Sequence, residues 1–253
     1  MNFFNKIGKV IVSKILQRYG LRLTRPGPYG VFDFESFLYR HLEVHKTLKF
    51  IQIGANDGRM NDPIYKFNQK NRSLVSGYVL EPLPDIYESL VTNYKSCPNI
   101  KPLKLAIHNT KDEMLLYRVK PEHLSRVSAF AIGIASFDPN HWKKTSLILD
   151  QDFIQSEIVK CISYSQLLRD YNIDEIDLLL IDTEGYDYEI LMDIDFSDVK
   201  PRIIRFEHGL RDLVMSESNF IEVVERLNSH GYQIIAESYD ATAYLLNPKD
   251  LVF

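Results

Sequence analysis

The amino-acid sequence predicts an α/β protein with a mostly parallel sheet of seven strands and helices on both faces. Three observations predict this fold class. Short apolar runs alternate with amphipathic stretches from Lys49 onward, which is the pattern of parallel βαβ units. The last two runs are joined by a short polar turn, which indicates an antiparallel C-terminal strand. The length of 253 residues suits one large domain better than two.

Seven apolar runs are the predicted strands, and the amphipathic stretches around them are the predicted helices. The strands are expected at residues 50–53, 78–80, 103–107, 178–181, 203–206, 233–236 and 243–246. The helices are expected at residues 34–47, 86–94, 188–192 and 220–227.

The first 30 residues differ in charge from the rest of the chain. Residues 1–25 carry six Lys or Arg and no Asp or Glu, although the whole chain has a net charge of −4. They are predicted to form a basic amphipathic helix, which can lie on an anionic membrane surface or pack against its own domain or a partner. Turn-forming residues up to 30 then form a linker. Residues 31–253 are the predicted main domain, with an irregular insertion at about 112–159 that covers the ligand site.

Composition excludes several classes of protein. The acidic net charge argues against general nucleic-acid binding, and no stretch approaches the roughly 20 apolar residues of a membrane-spanning helix. Two cysteines, Cys97 and Cys161, cannot build a disulfide framework or a zinc site alone, which favours a reducing compartment. We therefore expect a cytoplasmic protein, with peripheral membrane contact through residues 1–25 as an open alternative.

A glycine-containing turn follows the first predicted strand. Gly54, Asn56, Asp57 and Gly58 stand where the chain turns from strand to helix, and glycine there lets the backbone approach a ligand closely. A dinucleotide fold would need three glycines in the pattern G-x-G-x-x-G, which is missing, so a nicotinamide-dependent oxidoreductase is disfavoured. The polar pair between the glycines suits a ligand with an ammonium group, although a plain tight turn is the simpler interpretation.

Acidic residues end three further strands, and parallel strands bring such ends together at one edge of a sheet. Glu81, followed by Pro82, ends the second strand, where a carboxylate can accept both hydroxyls of a ribose. Asp182 ends the strand at 178–181, and Asp182 and Glu184 are expected to project toward the turn after the first strand. Asp182 can receive an ammonium group, act as a base or hold a metal. Farther along, Asp187 and Glu189 are expected on the solvated face of the following helix.

Glu207 and His208 end the strand at 203–206. Histidine titrates near neutral pH and is the commonest general base, although a single histidine is more often structural. Together with Asp182, these two side chains could also hold Mg²⁺, which prefers oxygen ligands. The candidate catalytic residues are therefore Asp182, Glu207 and His208, and the same three are the candidate metal ligands.

The sequence resembles the FkbM family of S-adenosylmethionine-dependent methyltransferases. The resemblance rests on the runs Phe-Ile-Gln-Ile-Gly-Ala-Asn-Asp-Gly at 50–58, Leu-Glu-Pro at 80–82 and Ile-Asp-Thr-Glu-Gly at 181–185, and it covers roughly residues 47–246. It implies a Rossmann-like methyltransferase fold and S-adenosylmethionine as the methyl donor. In many relatives an aspartate stands where this chain has Gln52, so an ionic contact from that position is not carried over.

The resemblance also implies roles for individual residues. Gly54, Asn56, Asp57 and Gly58 would surround the methionine part of the cofactor, Glu81 and Pro82 the ribose, and Ala106 and Ile107, at the end of the third strand, the adenine. The implied reaction is O-methylation of a sugar, a glycan or a secondary metabolite. The insertion would supply the acceptor pocket, from hydroxyl and aromatic side chains that equally suit a plain folded loop: Ser125, Ser128, Ser136, His123, Phe130, Phe137, His141 and Trp142.

One alternative to an enzyme is left by the sequence. A methyltransferase-like domain without activity could bind a glycan or hold a partner through its basic N-terminal helix. The combination of Gly54, Gly58, Glu81 and Asp182 argues against loss of cofactor binding. The sequence does not indicate the acceptor molecule or the oligomeric state.

Overall fold

The computed structural model describes residues 32–127, 131, 133–144 and 151–246. The predictions for residues 1–30, Ser128 and Phe130 lie outside these residues. Eleven strands are described: β1 Leu48–Ile53, β2 Val75–Leu80, β3 Ile100–Leu103, β4 Ala106–Ile107, β5 Glu113–Val119, β6 Ala135–Ser136, β7 Ile154–Ile162, β8 Leu178–Ile181, β9 Ile203–Glu207, β10 Tyr232–Ala236 and β11 Asp240–Leu245. Seven helices accompany them: α1 Phe34–His45, α2 Tyr65–Lys70, α3 Pro84–Tyr94, α4 His141–Lys144, α5 Tyr164–Asp170, α6 Asp187–Asp193 and α7 Glu217–Ser229.

The main sheet has seven strands in the order β10-β11-β9-β8-β1-β2-β3. Strands β3, β2, β1, β8 and β9 run parallel to one another, and β11 lies antiparallel between β9 and β10. The predicted fold class, a mostly parallel Rossmann-like sheet of seven strands with an antiparallel C-terminal strand, is confirmed. The chain leaves β1 toward β2 and β3 and later returns to β8 on the other side of β1, so strand order reverses between β1 and β8. Ligands of open α/β sheets bind at such a reversal, outside the carboxyl ends of the strands.

The core lies on the central strands of this sheet. Leu178, Leu179, Leu180 and Ile181 of β8 are all buried, because helices cover both faces of a parallel sheet. Strand β8 is one of the two neighbours of β1, with Ile181 opposite Ile53. The residues that follow these two positions, Asp182 and Gly54, therefore leave the sheet side by side.

A second sheet of four strands, in the order β4-β7-β5-β6, is built by residues 106–162. Strands β5 and β7 pair antiparallel over their lengths, from Glu113 with Lys160 to Val119 with Ile154. The predicted third strand at 103–107 is wrong in its extent, because it joins the end of β3 in the main sheet to β4 in the second sheet. Both pieces are apolar, so hydrophobicity alone did not reveal the break between them.

No helix in residues 32–127, 133–144 and 151–246 is long and apolar enough to cross a membrane. Cys97 and Cys161 are both buried and unbonded to one another.

Candidate active site

A cavity of about 280 Å³ opens at the carboxyl ends of β1, β2 and β8, where the strand order reverses. We call it the first cavity. Its walls include the sequence-predicted residues Gly54, Asn56, Glu81, Pro82, Ala106, Ile107, Asp182 and Glu207. The sequence thus indicates residues from five separate parts of the chain that the fold brings to one place.

Gly54 is required by the close approach of two chain segments. Its φ of 79° lies in the left-handed region, and a Cβ added to it would lie 1.7 Å from the carbonyl oxygen of Asp182. The amide of Asp182 donates to the carbonyl of Ile53 at 3.0 Å, which holds the two strand ends together. Glycine at position 54 therefore allows β1 and β8 to meet directly beneath the cavity.

The other three residues of the predicted turn divide between the cavity and the fold. Asn56 lines the cavity with a φ of 49°, and its side-chain oxygen accepts the amide of Asp57 at 2.7 Å. The carboxylate of Asp57 accepts the amides of Arg59 and Met60 at 2.8 and 2.7 Å, and the residue does not line the cavity.

Gly58 has a packing role in the structure. A Cβ at this position would lie 2.5 Å from Leu90 and 2.6 Å from Tyr94, both in α3, and Gly58 does not line the cavity. The predicted contacts of Asp57 and Gly58 with a cofactor therefore do not match their positions, since both residues shape the turn that presents Gly54 and Asn56.

Glu81 is a buried carboxyl group in the wall of the first cavity. It accepts the amide of Leu83 at 2.9 Å, and its burial raises its pKa to about 7. Ala106 and Ile107 lie near it as β4 of the second sheet and not, as predicted, at the end of the third strand. With Leu105 and Leu116 they give this side of the cavity an apolar surface, which suits a flat heterocycle.

Gln52 points to a carboxylate that the sequence analysis missed. The Nε2 of Gln52 donates to Oδ2 of Asp62 at 2.8 Å, and both residues line the first cavity. Burial raises the pKa of Asp62 to about 6. The other oxygen of Asp62, Oδ1, accepts the amides of Ile64 and Tyr65 at 2.8 and 2.6 Å, so Asp62 also fixes the turn that leads into α2.

Three carboxyl groups meet at the inner end of the first cavity. Asp182, Glu184 and Glu207 each place an oxygen within 4.8 Å of the others, and we call them the carboxylate group. The Asp182 side chain is open to the cavity, yet the protein packed around it partly desolvates the carboxyl, and this together with the neighbouring carboxylates of Glu184 and Asp187 raises its pKa. Burial and the same kind of repulsion also raise the pKa of Glu207. The group therefore holds protons at neutral pH or can be neutralised by a cation.

Asp187 was expected on a solvated helix face, and this expectation is wrong. Asp187 is buried, where it accepts the amide of Thr183 at 3.0 Å, the Thr183 hydroxyl and the amide of Glu207 at 3.0 Å. It therefore fixes the loop after β8 to the end of β9 and sets the spacing of the carboxylate group. A carboxylate four residues after a threonine was the available signal, since such a side chain can accept the free amides of a turn.

His208 lies outside the carboxylate group, although the sequence placed it there. Its Nδ1 accepts the amide of Leu210 at 3.3 Å, its Nε2 lies 3.3 Å from the carbonyl of Glu237, and it does not line the cavity. Burial lowers its pKa, so the neutral ring has both nitrogens engaged with backbone. Its position does not fit the predicted roles of base and metal ligand. The third member of the carboxylate group, beside Asp182 and Glu207, is Glu184.

A second cavity, of about 440 Å³, adjoins the first. The two share Phe137, Glu184, Glu207 and Val214, so Glu184 and Glu207 of the carboxylate group lie at their junction, while Asp182 lines the first cavity. Of the insertion residues predicted to bind an acceptor, Ser136, Phe137 and His141 line the second cavity. Ser125, His123 and Trp142 do not, and the His123 ring lies 4.4 Å from the Phe153 ring.

Comparison with known proteins identifies the family. The Methyltransferase FkbM domain matches residues 52–234, which is well over half of the chain and includes Gly54, Glu81, Asp182 and Glu207. A search of the curated proteins found no match.

Solved structures resemble the chain only distantly. They include Methanococcus jannaschii fibrillarin, a pre-rRNA processing protein (14% identity, 79% of this chain and 66% of that chain, TM-score 0.40). A putative O-methyltransferase from Klebsiella pneumoniae has 10% identity over 94% of this chain and 89% of that chain, with a TM-score of 0.43. The O-methyltransferase from Bacillus cereus has 9% identity over 93% and 89%, with a TM-score of 0.41. These scores are too low to support an argument, and the assignment rests on the family match. The chain belongs to the FkbM family of S-adenosylmethionine-dependent methyltransferases.

Proposed function

We propose that this protein transfers the methyl group of S-adenosylmethionine to a hydroxyl oxygen of a sugar, a glycan or a similar polyhydroxylated metabolite. One observation carries the proposal. A cavity with the features of a cofactor site and a second, polar cavity meet at the carboxylate group, where a methyl donor and a hydroxyl acceptor can approach each other. Methyl transfer is an in-line displacement, so holding the two reactants in line provides most of the catalysis.

The residues of the first cavity fit S-adenosylmethionine. Gly54 lines the cavity and lets β1 and β8 close beneath it, because a Cβ at this position would collide with the carbonyl of Asp182. The Glu81 carboxyl can bind the ribose hydroxyls, and Ala106 and Ile107 offer an apolar surface to the adenine. Asp62, held by Gln52, supplies a negative charge for the ammonium of the methionine part.

The carboxylate group can remove the proton of the acceptor. As the methyl group moves, the carbon–sulfur bond breaks, a carbon–oxygen bond forms, and the hydroxyl proton passes to an ionised carboxylate among Asp182, Glu184 and Glu207. S-adenosylhomocysteine leaves as the neutral thioether. A carboxyl group with a raised pKa is a stronger base than an ordinary carboxylate, which suits this step.

The same group suits the Mg²⁺ ion predicted from sequence, with Glu184 in place of His208. Its oxygens are hard ligands, and a bound divalent cation would lower the pKa of the acceptor hydroxyl. Chelation separates the two routes. Activity that EDTA abolishes and Mg²⁺ restores supports the metal, whereas activity unchanged by EDTA assigns proton removal to the carboxylates alone.

The test of the proposal is turnover with S-adenosylmethionine labelled in its methyl group, on a panel of mono- and oligosaccharides. Label transferred to oxygen, and lost in Asp182→Asn and Glu207→Gln, supports the proposal. The matched control is Asp198→Asn, an equal loss of charge at an exposed residue that lines neither cavity. Binding of the cofactor without transfer to any acceptor would instead support the non-catalytic glycan-binding or scaffold module.

A further inference from the structure

The second cavity is lined by four parts of the chain. Its walls come from the insertion at 136–141, the loop and first turn of α6 at 184–189, Glu207 at the end of β9, and the segment 213–219 that leads into α7. It adjoins the first cavity at four shared residues, among them Glu184 and Glu207 of the carboxylate group. A molecule held there would face the methyl group of a donor in the first cavity, so the second cavity is the place for the acceptor.

The side chains around this cavity have a one-sided charge. Its walls include five carboxyl groups, while none of the described residues that line it is Lys or Arg. The five are Asp138, Glu184, Asp187, Glu189 and Glu207. A phosphate or carboxylate on the acceptor would be repelled, and a cation would be attracted.

A buried histidine adds a hydrogen-bond acceptor to this wall. His141 is buried, and its Nε2 lies 3.2 Å from Oε2 of Glu184, so the carboxylate favours the tautomer with the proton on Nε2. Its Nδ1 then carries a lone pair and has no hydrogen-bond partner among the residues that the structure describes. Nδ1 lies 3.8 Å from the point that a Cβ of Gly185 would take, and Gly185 also lines the cavity. The Nδ1 of His141 can therefore accept a hydrogen bond from an N–H or O–H group of a ligand.

Aromatic rings complete the wall. Phe137 and Tyr186 both line the cavity and pack edge to face with their centroids 5.2 Å apart. Aromatic faces bind sugar rings and also attract cations through their quadrupoles. Negative charge, an unpartnered acceptor and aromatic surface therefore favour the same kind of ligand.

We propose that the acceptor bound in the second cavity is a polyhydroxylated molecule that carries an amine, such as an amino sugar, and that acceptors bearing phosphate or carboxylate are excluded. The proposal rests on the proposed function and specifies its substrate class. The ammonium lies against the carboxylates of the wall, and a ligand hydroxyl donates to His141.

The test compares two disaccharides with the same sugar backbone, one with free amines and one with both amines acetylated. Calorimetry in the presence of saturating S-adenosylhomocysteine measures binding of β-1,4-linked glucosamine disaccharide and of its N,N′-diacetyl form, at about pH 6.5, where an amine of this type is protonated. We expect the free amine to bind about tenfold tighter than the acetylated form, since one or two partly screened ion pairs are lost on acetylation. The 6-phosphate of glucose should show no binding.

Substitutions at Asn219 localise the effect. Asn219 lines the second cavity in the first turn of α7, where an acidic side chain also suits the helix dipole. Asn219→Asp should tighten binding of the amine about threefold and Asn219→Lys should weaken it about fivefold, as expected of partly exposed charge pairs. The control Asp198→Asn changes charge outside both cavities and should leave the affinity unchanged.

The outcomes separate this inference from the proposed function. A preference for the acetylated or the phosphorylated sugar, or an amine affinity that the Asn219 variants do not change, overturns the inference. So does the absence of any amine binding to protein that binds S-adenosylhomocysteine normally. Failure to bind S-adenosylhomocysteine at all overturns the proposed function itself.

Discussion

Replacement of Gly54 by alanine tests the geometry on which the site depends. The new Cβ would lie 1.7 Å from the carbonyl oxygen of Asp182, whereas real Cβ contacts are not shorter than 3.0 Å, so the ends of β1 and β8 must separate. Overpacking of this kind costs about 1–3 kcal/mol, and a left-handed φ adds about 1 kcal/mol for a residue with a Cβ. We expect the free energy of unfolding to fall by about 2–4 kcal/mol, which is the sum of the two terms.

Alanine variants of two other glycines separate the effect of overpacking from the effect of the left-handed φ. Gly231 has a φ of 87° and nothing within 4 Å of its Cβ position, so Gly231→Ala should cost only about 1 kcal/mol. Gly77 lies in β2 opposite Phe50 of β1, outside both cavities, and its Cβ would lie 2.0 Å from the carbonyl oxygen of Phe50. Gly77→Ala should therefore reduce stability about as much as Gly54→Ala, by about 1–3 kcal/mol from overpacking alone.

The assays are urea unfolding and calorimetry with S-adenosylhomocysteine. Gly54→Ala should weaken binding at least about tenfold, which corresponds to about 1.4 kcal/mol, while the other two variants bind as the unaltered protein does. Equal affinity in Gly54→Ala and Gly231→Ala would refute the argument that the close approach of β1 and β8 builds the cofactor site. Weakened binding in Gly77→Ala would assign the loss to general destabilisation.

Further predictions concern the histidine, the pH dependence and the N-terminal segment. His208→Asn keeps an acceptor for the Leu210 amide and should retain turnover within about threefold. Glu184→Gln should lower kcat at least about tenfold, because Glu184, unlike His208, belongs to the carboxylate group that takes the proton. Burial raises the pKa of Glu81 to about 7, so the folded protein binds more protons than the unfolded chain between about pH 4.5 and 7. The free energy of unfolding should therefore fall as the pH rises through this window. Glu81→Gln should flatten that fall in unfolding experiments at a series of pH values; an unchanged slope would contradict the assigned burial. Residues 1–25 carry six Lys or Arg and no acid, so the protein should sediment with anionic liposomes and a variant without these residues should not. The absence of sedimentation by the intact protein would remove the membrane contact.

The sheet was predictable because its strands are buried on both faces. The prediction of a strand at 178–181 matches β8 residue for residue, since a run of apolar residues followed by an acid leaves one plausible end. The boundary between β3 and β4 was missed because the chain passes from one sheet to another within an apolar stretch. Local hydrophobicity reports burial, and it does not report which sheet a strand joins.

The site residues that could be predicted from the sequence are the ones at the carboxyl ends of strands. Asp182 follows β8 and Glu207 is the last residue of the neighbouring parallel strand β9, so the topology alone brings them together. His208 immediately follows Glu207, but its side chain leaves on the other side of the chain and bonds to backbone. Glu184 replaces it because the loop after β8 turns back toward β9, with a φ of 53° at Glu184 itself.

Long-range contacts explain the remaining omissions. Asp187 was expected in solvent because its helix is amphipathic, yet it binds the amide of Glu207, twenty residues away. Asp62 was missed because nothing in its local sequence indicates a pairing with Gln52 across a turn of ten residues. Such pairings depend on tertiary structure, and a single sequence contains no pattern that reports them.

Calorimetric titration with S-adenosylmethionine, S-adenosylhomocysteine and NAD tests the central claim most directly. The first cavity should bind the two sulfur nucleosides at micromolar concentration, and Asp62→Asn and Glu81→Gln should both weaken that binding, because they remove the predicted partners of the ammonium and the ribose. NAD should not bind. Binding of NAD, or no binding of either sulfur nucleoside to folded protein free of carried-over ligand, would contradict the account.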